Sequence, residues 1–183
     1  MVKKILLNNQ EFTFTENDLP ILIHGAHKAG SSLFTITLIS KLCMHGSKIL
    51  FFSGYEMAKD EFRAQVEDID TDKVEIIKRG DEYDFLKTIE NIKDIDERVL
   101  LIKNVELLGE KAHLKFKDKT KLVISGDIEK CSFKEELLNI PYRTIILFSD
   151  LSNYSKVIPY ELQQYEGYIW GSKKGVVKID VRW

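Results

Sequence analysis

The sequence predicts an α/β domain with a mostly parallel sheet, closed by an antiparallel hairpin. Three observations predict it. Short apolar runs alternate with stretches of helical periodicity along most of the chain. One of these runs leads through a glycine-bounded loop, Gly25-Ala26-His27-Lys28-Ala29-Gly30-Ser31-Ser32, straight into an apolar helical stretch. The last thirty residues abandon the alternation for two β-type segments around a Gly-Ser-Lys-Lys-Gly turn at 171–175.

The elements follow in order. Residues 5–7 and 12–14 flank Asn8-Asn9, a turn signal, and read as a hairpin. Residues 21–24 form a short buried strand. Residues 32–45 form a helix whose apolar residues lie nearly all round, so it is expected to be buried on most sides, with Gly46 as its stop. Residues 48–53 are a strand, and Ala58, Phe62, Val66 and Ile69 space a helical stripe. A strand at 74–77 precedes a second amphipathic helix marked by Phe85, Leu86, Ile89 and Ile92. Strands follow at 99–102, 122–124 and 144–148, and the closing hairpin pairs 167–170 with 176–181. The expected organisation is one domain over 1–183, with an N-terminal hairpin at 1–17, a core at 18–150 and a closing hairpin at 151–183.

Composition narrows the function classes. The chain has 183 residues, 44% of them hydrophobic and 31% charged, which suits one globular domain with a real core. A formal net charge of −2 gives no global argument for nucleic acid or an acidic membrane. No apolar run approaches the roughly 20 residues that span a bilayer. The apolar part of residues 1–7 is too short for a signal peptide and lacks a small-residue cleavage site. Cys43 and Cys131 stand far apart in no metal spacing, and the expected setting is a reducing cytoplasm without a membrane partner. His24 and His27 have no ligand partners at metal spacing.

The loop at 25–32 nearly spells G-x-x-x-x-G-K-[ST], in which backbone N–H groups and a helix N-terminus cradle phosphates. Both glycines and the final hydroxyl, Ser32, are present. Ser31 stands where the motif has its lysine, and a lysine appears three places early, as Lys28. Two more stations follow. The strand Ile49-Leu50-Phe51-Phe52-Ser53 runs into Gly54-Tyr55-Glu56-Met57, and Val99-Leu100-Leu101-Ile102 runs into Lys103-Asn104-Val105-Glu106-Leu107-Leu108.

In this order the three stations resemble the RecA-like ATPase core, especially the branch holding the DnaB-type helicases and the KaiC/RadA-like proteins. The resemblance extends from about residue 18 to the end. It implies a P-loop NTPase fold, ATP or ADP at Gly25, His27, Lys28, Ala29, Gly30, Ser31 and Ser32, and a catalytic carboxylate at Glu56. It also implies a magnesium ion held after the third strand, and self-association or pairing with a RecA-like homologue. Two departures bear on the chemistry. Ser31 replaces the phosphate lysine, and Lys103 stands where the family places its magnesium aspartate. Gly54-Tyr55 also lengthens the second station by one residue.

Three functional readings are therefore open. The first is a non-hydrolysing homologue that binds a nucleotide, another anion or a protein partner. In it, Lys103 takes the lost metal's place and pairs with Glu56. The second is an active ATPase in which Lys28 replaces the missing lysine and Glu56, Asp127 or Asp150 holds the metal. The third is a nucleic-acid-binding factor that uses Lys111, Lys115, Lys117, Lys119 and Lys121, which with His113 occupy alternate positions of one segment. That run is equally a solvated face or the protection of a sheet edge.

Overall fold

The computed structural model describes residues 2–54, 73–77, 81–171 and 173–182. The described strands form one sheet: β1 (Val2–Leu7), β2 (Gln10–Glu11), β3 (Ile21–His24), β4 (Ile49–Ser53), β5 (Val74–Ile77), β6 (Val99–Lys103), β7 (Leu122–Gly126), β8 (Thr144–Leu147), β9 (Glu166–Gly171) and β10 (Gly175–Arg182). Their spatial order is β2-β1-β10-β9-β8-β3-β7-β6-β4-β5. From β8 through to β5 every pairing is parallel. From β8 outward through β9, β10, β1 and β2 every pairing is antiparallel. The expected α/β class, the mostly parallel sheet and the terminal antiparallel hairpin are all present.

Side chains alternate across the strands, so each strand feeds two cores. Ile21 and Ile23 point to one face, where α1 (Ser31–Met44) packs with Phe34, Leu38 and Leu42. Leu22, Leu50 and Phe52 point to the other. That face is covered by α2 (Glu82–Asn91), α3 (Glu110–Phe116) and α4 (Lys134–Leu138), through Phe85, Phe116 and Leu137 among others. Burial on both faces explains why β3, β4, β6 and β7 are continuous apolar runs rather than alternating ones. Helix α1 is buried round most of its circumference, as its sequence requires.

The structure corrects or refines three expectations. The second strand of the N-terminal hairpin is Gln10–Glu11, not 12–14. Phe12 and Phe14 instead stack edge to face, centroids 4.8 Å apart, and Phe14 continues onto Phe34 of α1. Hydrophobic burial there outweighs strand pairing. Second, β1 pairs along its whole length with β10, so the two terminal segments form one antiparallel extension. Third, the start of the lysine run is the helix α3, so it does not protect a sheet edge; Ala112, His113 and Phe116 turn inward. The stripe at 58–69 lies outside the described residues.

Candidate functional site

The site forms at the carboxyl ends of the parallel strands. The register sets His24 beside Gly126 and Leu147, and Lys103 beside Ser53 and Ser125. Ligands of open α/β sheets bind at this end, where the loops diverge.

The loop after β3 is fastened on both sides. Gly25 donates its N–H to the Gly126 carbonyl at 3.1 Å, and Ala26 donates its N–H to Ser149 Oγ at 2.9 Å. Ala29 closes a turn onto the Ala26 carbonyl at 3.1 Å, with Lys28 at φ 67°. Gly30 then takes φ 109°, a backbone that side chains rarely adopt, and α1 begins. Tyr165 lies against Gly30, and its N–H donates to the Ala29 carbonyl at 3.3 Å.

No side chain caps α1. Its first N–H groups have no acceptor within the helix, and they carry the positive end of the helix dipole. Ser31 is buried, while Ser32 is exposed. Thr35 Oγ1 donates to the Ser31 carbonyl at 2.8 Å and also lies 2.6 Å from Ser125 Oγ, tying the first turn of α1 to β7.

Lys103 ends β6 and is only 9% exposed. Among the described residues no carboxylate lies within ion-pair distance of its ammonium. Burial pushes its pKa down, and the field of Glu106 partly opposes this. Glu106 is itself engaged, its Oε2 accepting the Asp127 N–H at 3.1 Å. Asp127 pairs with Lys130 at 2.8 Å. Asn104 sits in the left-handed region at φ 60°, and its Oδ1 is buried without a partner.

Beneath the loop, His24 acts as a latch. Its Nδ1 accepts the Ile128 N–H at 3.1 Å, so its proton resides on Nε2. Nε2 lies 3.0 Å from both the Asp150 carbonyl and Ser149 Oγ. Burial lowers the pKa of His24, against the fields of Asp127 and Glu129.

Gly25, His27, Lys28, Gly30, Ser31, Ser32 and Lys103 all line one open pocket of ≈ 370 Å³. Ala29 does not line it and serves instead as the acceptor for Tyr165. Glu56 lies outside the described residues. The lysine run lies elsewhere: Lys117, Lys119 and Lys121 line a second groove with Glu16 and Arg143. Lys115 pairs with Glu90 at 2.9 Å, Lys121 with Glu16 at 2.8 Å, and Lys119 with Asp96, while Lys117 is 3.9 Å from Asp118. Lys111 lies on exposed α3 surface.

The pocket also includes Asn104, Glu106, Asp127, Gln164 and Tyr165. Asp127 was visible in the sequence as a residue closing a strand. Glu106 lay inside the third station with no role attached. Tyr165 carries no local signal, because it meets Gly30 across the fold, just ahead of β9, where Ala29 and Ile179 hold its backbone. Among the described residues no group of three His, Cys, Asp or Glu side chains is placed to hold a metal ion.

No family model matches the chain, and no curated protein matches it in sequence. Solved structures do match its shape. The flagellar accessory protein FlaH from Methanocaldococcus jannaschii aligns over 88% of this chain and 89% of its own, with a TM-score of 0.55 and 12% identity. The genome packaging NTPase B204 from Sulfolobus turreted icosahedral virus 2, in complex with ATP-gammaS, aligns over 90% of this chain and 97% of its own, with a TM-score of 0.53 and 14% identity. The chain has the RecA-like P-loop ATPase fold. ATPases 2 and 3 of EssC from Geobacillus thermodenitrificans share it as well, with a TM-score of 0.58 and 13% identity over 87% of this chain and 36% of that one. The loop between β3 and α1 is the segment whose sequence nearly spells the phosphate-binding motif. Among the described residues no helix is long and apolar enough to cross a membrane.

Proposed function

We propose that this chain is a degenerate RecA-like ATPase homologue that binds the phosphates of ATP or ADP in the pocket above α1 and hydrolyses them slowly or not at all. The observation that carries this reading is Lys103. It is a nine-tenths buried lysine without an ion pair among the described residues, and it lines the same pocket as the uncapped start of α1. A buried cation is costly unless a counter-charge reaches it. The uncapped helix start is itself a favourable seat for an anion. Weak hydrolysis follows from the same residues. Phosphoryl transfer needs cations on the β- and γ-phosphates and a held metal, and Ser31 carries no charge. Lys103 repels a divalent ion from the place where the resembled family binds one.

An active ATPase is favoured by one feature. Lys28 is exposed at the tip of the loop and lines the pocket, so it is free to extend over a bound phosphate. The lysine run offers less support for a nucleic-acid surface, since Lys115, Lys117, Lys119 and Lys121 face carboxylates. Self-association or pairing with a homologue, and a cytoplasmic setting, belong to this reading through the fold alone.

Calorimetric titration with ATP and ADP, with and without magnesium, tests the binding. Heats with micromolar to millimolar affinity are expected; silence with both nucleotides in both buffers sinks it. A turnover on the order of 1 per second or above that vanishes in Lys28→Ala would instead establish the active enzyme.

A further inference from the structure

We infer that the pocket takes its phosphate ligand free of metal, with Lys103 supplying from the end of β6 the positive charge that the loop itself lacks. This rests on the phosphate-binding reading above and specifies the ionic form of the ligand.

Three independent features of the pocket point the same way. Lys103 is 9% exposed and is not engaged by a carboxylate among the described residues. Lysine is almost never this buried without a partner, so its ammonium is available to a ligand. The second feature is α1, a helix of 14 residues that starts in the same pocket with no side-chain cap. Its free N–H groups and dipole suit a phosphate oxygen and add positive potential without adding a metal. The third is the state of the acids. Asp127 is spent on Lys130 at 2.8 Å, and Glu106 Oε2 is spent on the Asp127 N–H at 3.1 Å. Magnesium is held by near-octahedral oxygens, through one or two carboxylates besides the substrate phosphates. Here the ion would have to win those acids from existing partners while sitting beside a lysine.

Lys103 and magnesium are thus alternatives for the same phosphate charge. A chelated nucleotide carries less negative charge to Lys103 and brings a like charge with it, so magnesium should weaken binding. Replacing Lys103 by an acid should reverse that preference, because a metal would then be the missing cation.

The test is calorimetry on the full chain with ADP and with inorganic pyrophosphate, first in chelator and then in saturating magnesium. The wild-type protein is expected to bind both probes in chelator and to lose tenfold or more of its affinity in magnesium. Lys103→Met should lose tenfold or more of the metal-free affinity. Lys103→Asp should bind ADP only when magnesium is present. A wild-type protein that binds ADP only with magnesium overturns the inference and leaves nucleotide binding intact. So does a Lys103→Met protein that binds metal-free ADP as tightly as wild type. Absence of binding in both buffers instead removes the phosphate-binding reading itself. The wild-type comparison needs no variant, so a substitution that fails to fold leaves the test decisive.

Discussion

Ser31 lies directly against Gly25. A Cβ added to Gly25 would meet Ser31 Cβ and Oγ at 2.6 Å, and Phe148 Cβ at 3.1 Å. Ser31 is therefore folded down onto the first glycine of its own loop, and the loop is packed rather than empty at that point.

Gly25→Ala should destabilise the protein by about 1–3 kcal/mol, the usual range for overpacking. The clash is with Ser31 Cβ itself, so Ser31→Gly is the substitution that relieves it. Residues in contact do not add. The double variant Gly25→Ala/Ser31→Gly should be more stable than the sum of the two single losses implies. Urea denaturation of the four proteins measures this coupling, and strictly additive losses would show that the contact carries no energy.

The sheet was legible because its strands are buried on both faces, which makes them unbroken apolar runs such as Ile49–Ser53 and Val99–Lys103. The loop was legible because Gly30 needs a backbone open mainly to glycine. Helices α3 and α4 went unread: they are short and highly charged, and Lys111 to Lys121 mimics a period of two while α3 buries Ala112, His113 and Phe116. The pocket was half legible. Gly25, Lys28 and Lys103 were singled out from the sequence and do line it, whereas Glu106 had no role attached and Tyr165 enters only in the folded chain. The burial of Lys103 fits the reading in which it turns into the site, although a lysine at a strand end is ordinarily solvated, and Glu56, its expected partner, lies outside the described residues.

Lys103→Met should stabilise the ligand-free protein. Methionine keeps the length of the stem and removes a charge that burial disfavours. Replacing even a buried ion pair by apolar groups is often neutral or stabilising, by up to about 4 kcal/mol, and Lys103 has no ion pair among the described residues to lose. The expected gain here is at the lower end, about 1 kcal/mol, because Glu106 provides some compensation. Thermal melts without nucleotide read this directly. A lower melting temperature would mean that the ammonium makes a stabilising contact.

Gly30→Ala should both destabilise the fold and loosen the segment that carries Tyr165. The backbone at φ 109° is strained for alanine, and the added Cβ would come within 2.9 Å of Tyr165 Cα, a backbone atom with little room to yield. Left-handed strain alone costs about 1–3 kcal/mol. Hydrogen exchange offers a local readout, since the Tyr165 N–H donates to the Ala29 carbonyl. Its exchange should accelerate more than that of amides in the centre of β7. Uniform acceleration across the sheet would mean that Gly30 matters only to global stability.

His24 should make stability fall as the solution is acidified. Its pKa in the folded protein is held below the ordinary value of 6.5, chiefly by burial. Asp127 and Glu129 pull it upward and Lys134 pushes it downward, without cancelling the burial effect. Between the depressed folded value and 6.5 the unfolded chain binds more protons than the folded one. Stability therefore rises with pH across that window, is complete above it, and is lost as pH falls through it. Structure gives the same sign, because a proton added to Nδ1 would face the Ile128 N–H that now donates to it. His113 acts in the same direction, since burial lowers its pKa too and its Nε2 has no partner. Melting temperatures should drop between about pH 7.5 and pH 5.5. His24→Gln retains an acceptor for the Ile128 N–H but cannot be protonated, so it should flatten part of that slope, and adding His113→Phe should flatten more. Because the His24 network includes Ser149, whose hydroxyl holds the Ala26 N–H, acid should also loosen the loop at 25–32. Exchange of the Ala26 amide, corrected for its intrinsic pH dependence, should rise in acid in the wild-type protein and not in His24→Gln. Identical pH slopes in all three proteins would show that neither histidine changes its proton on unfolding.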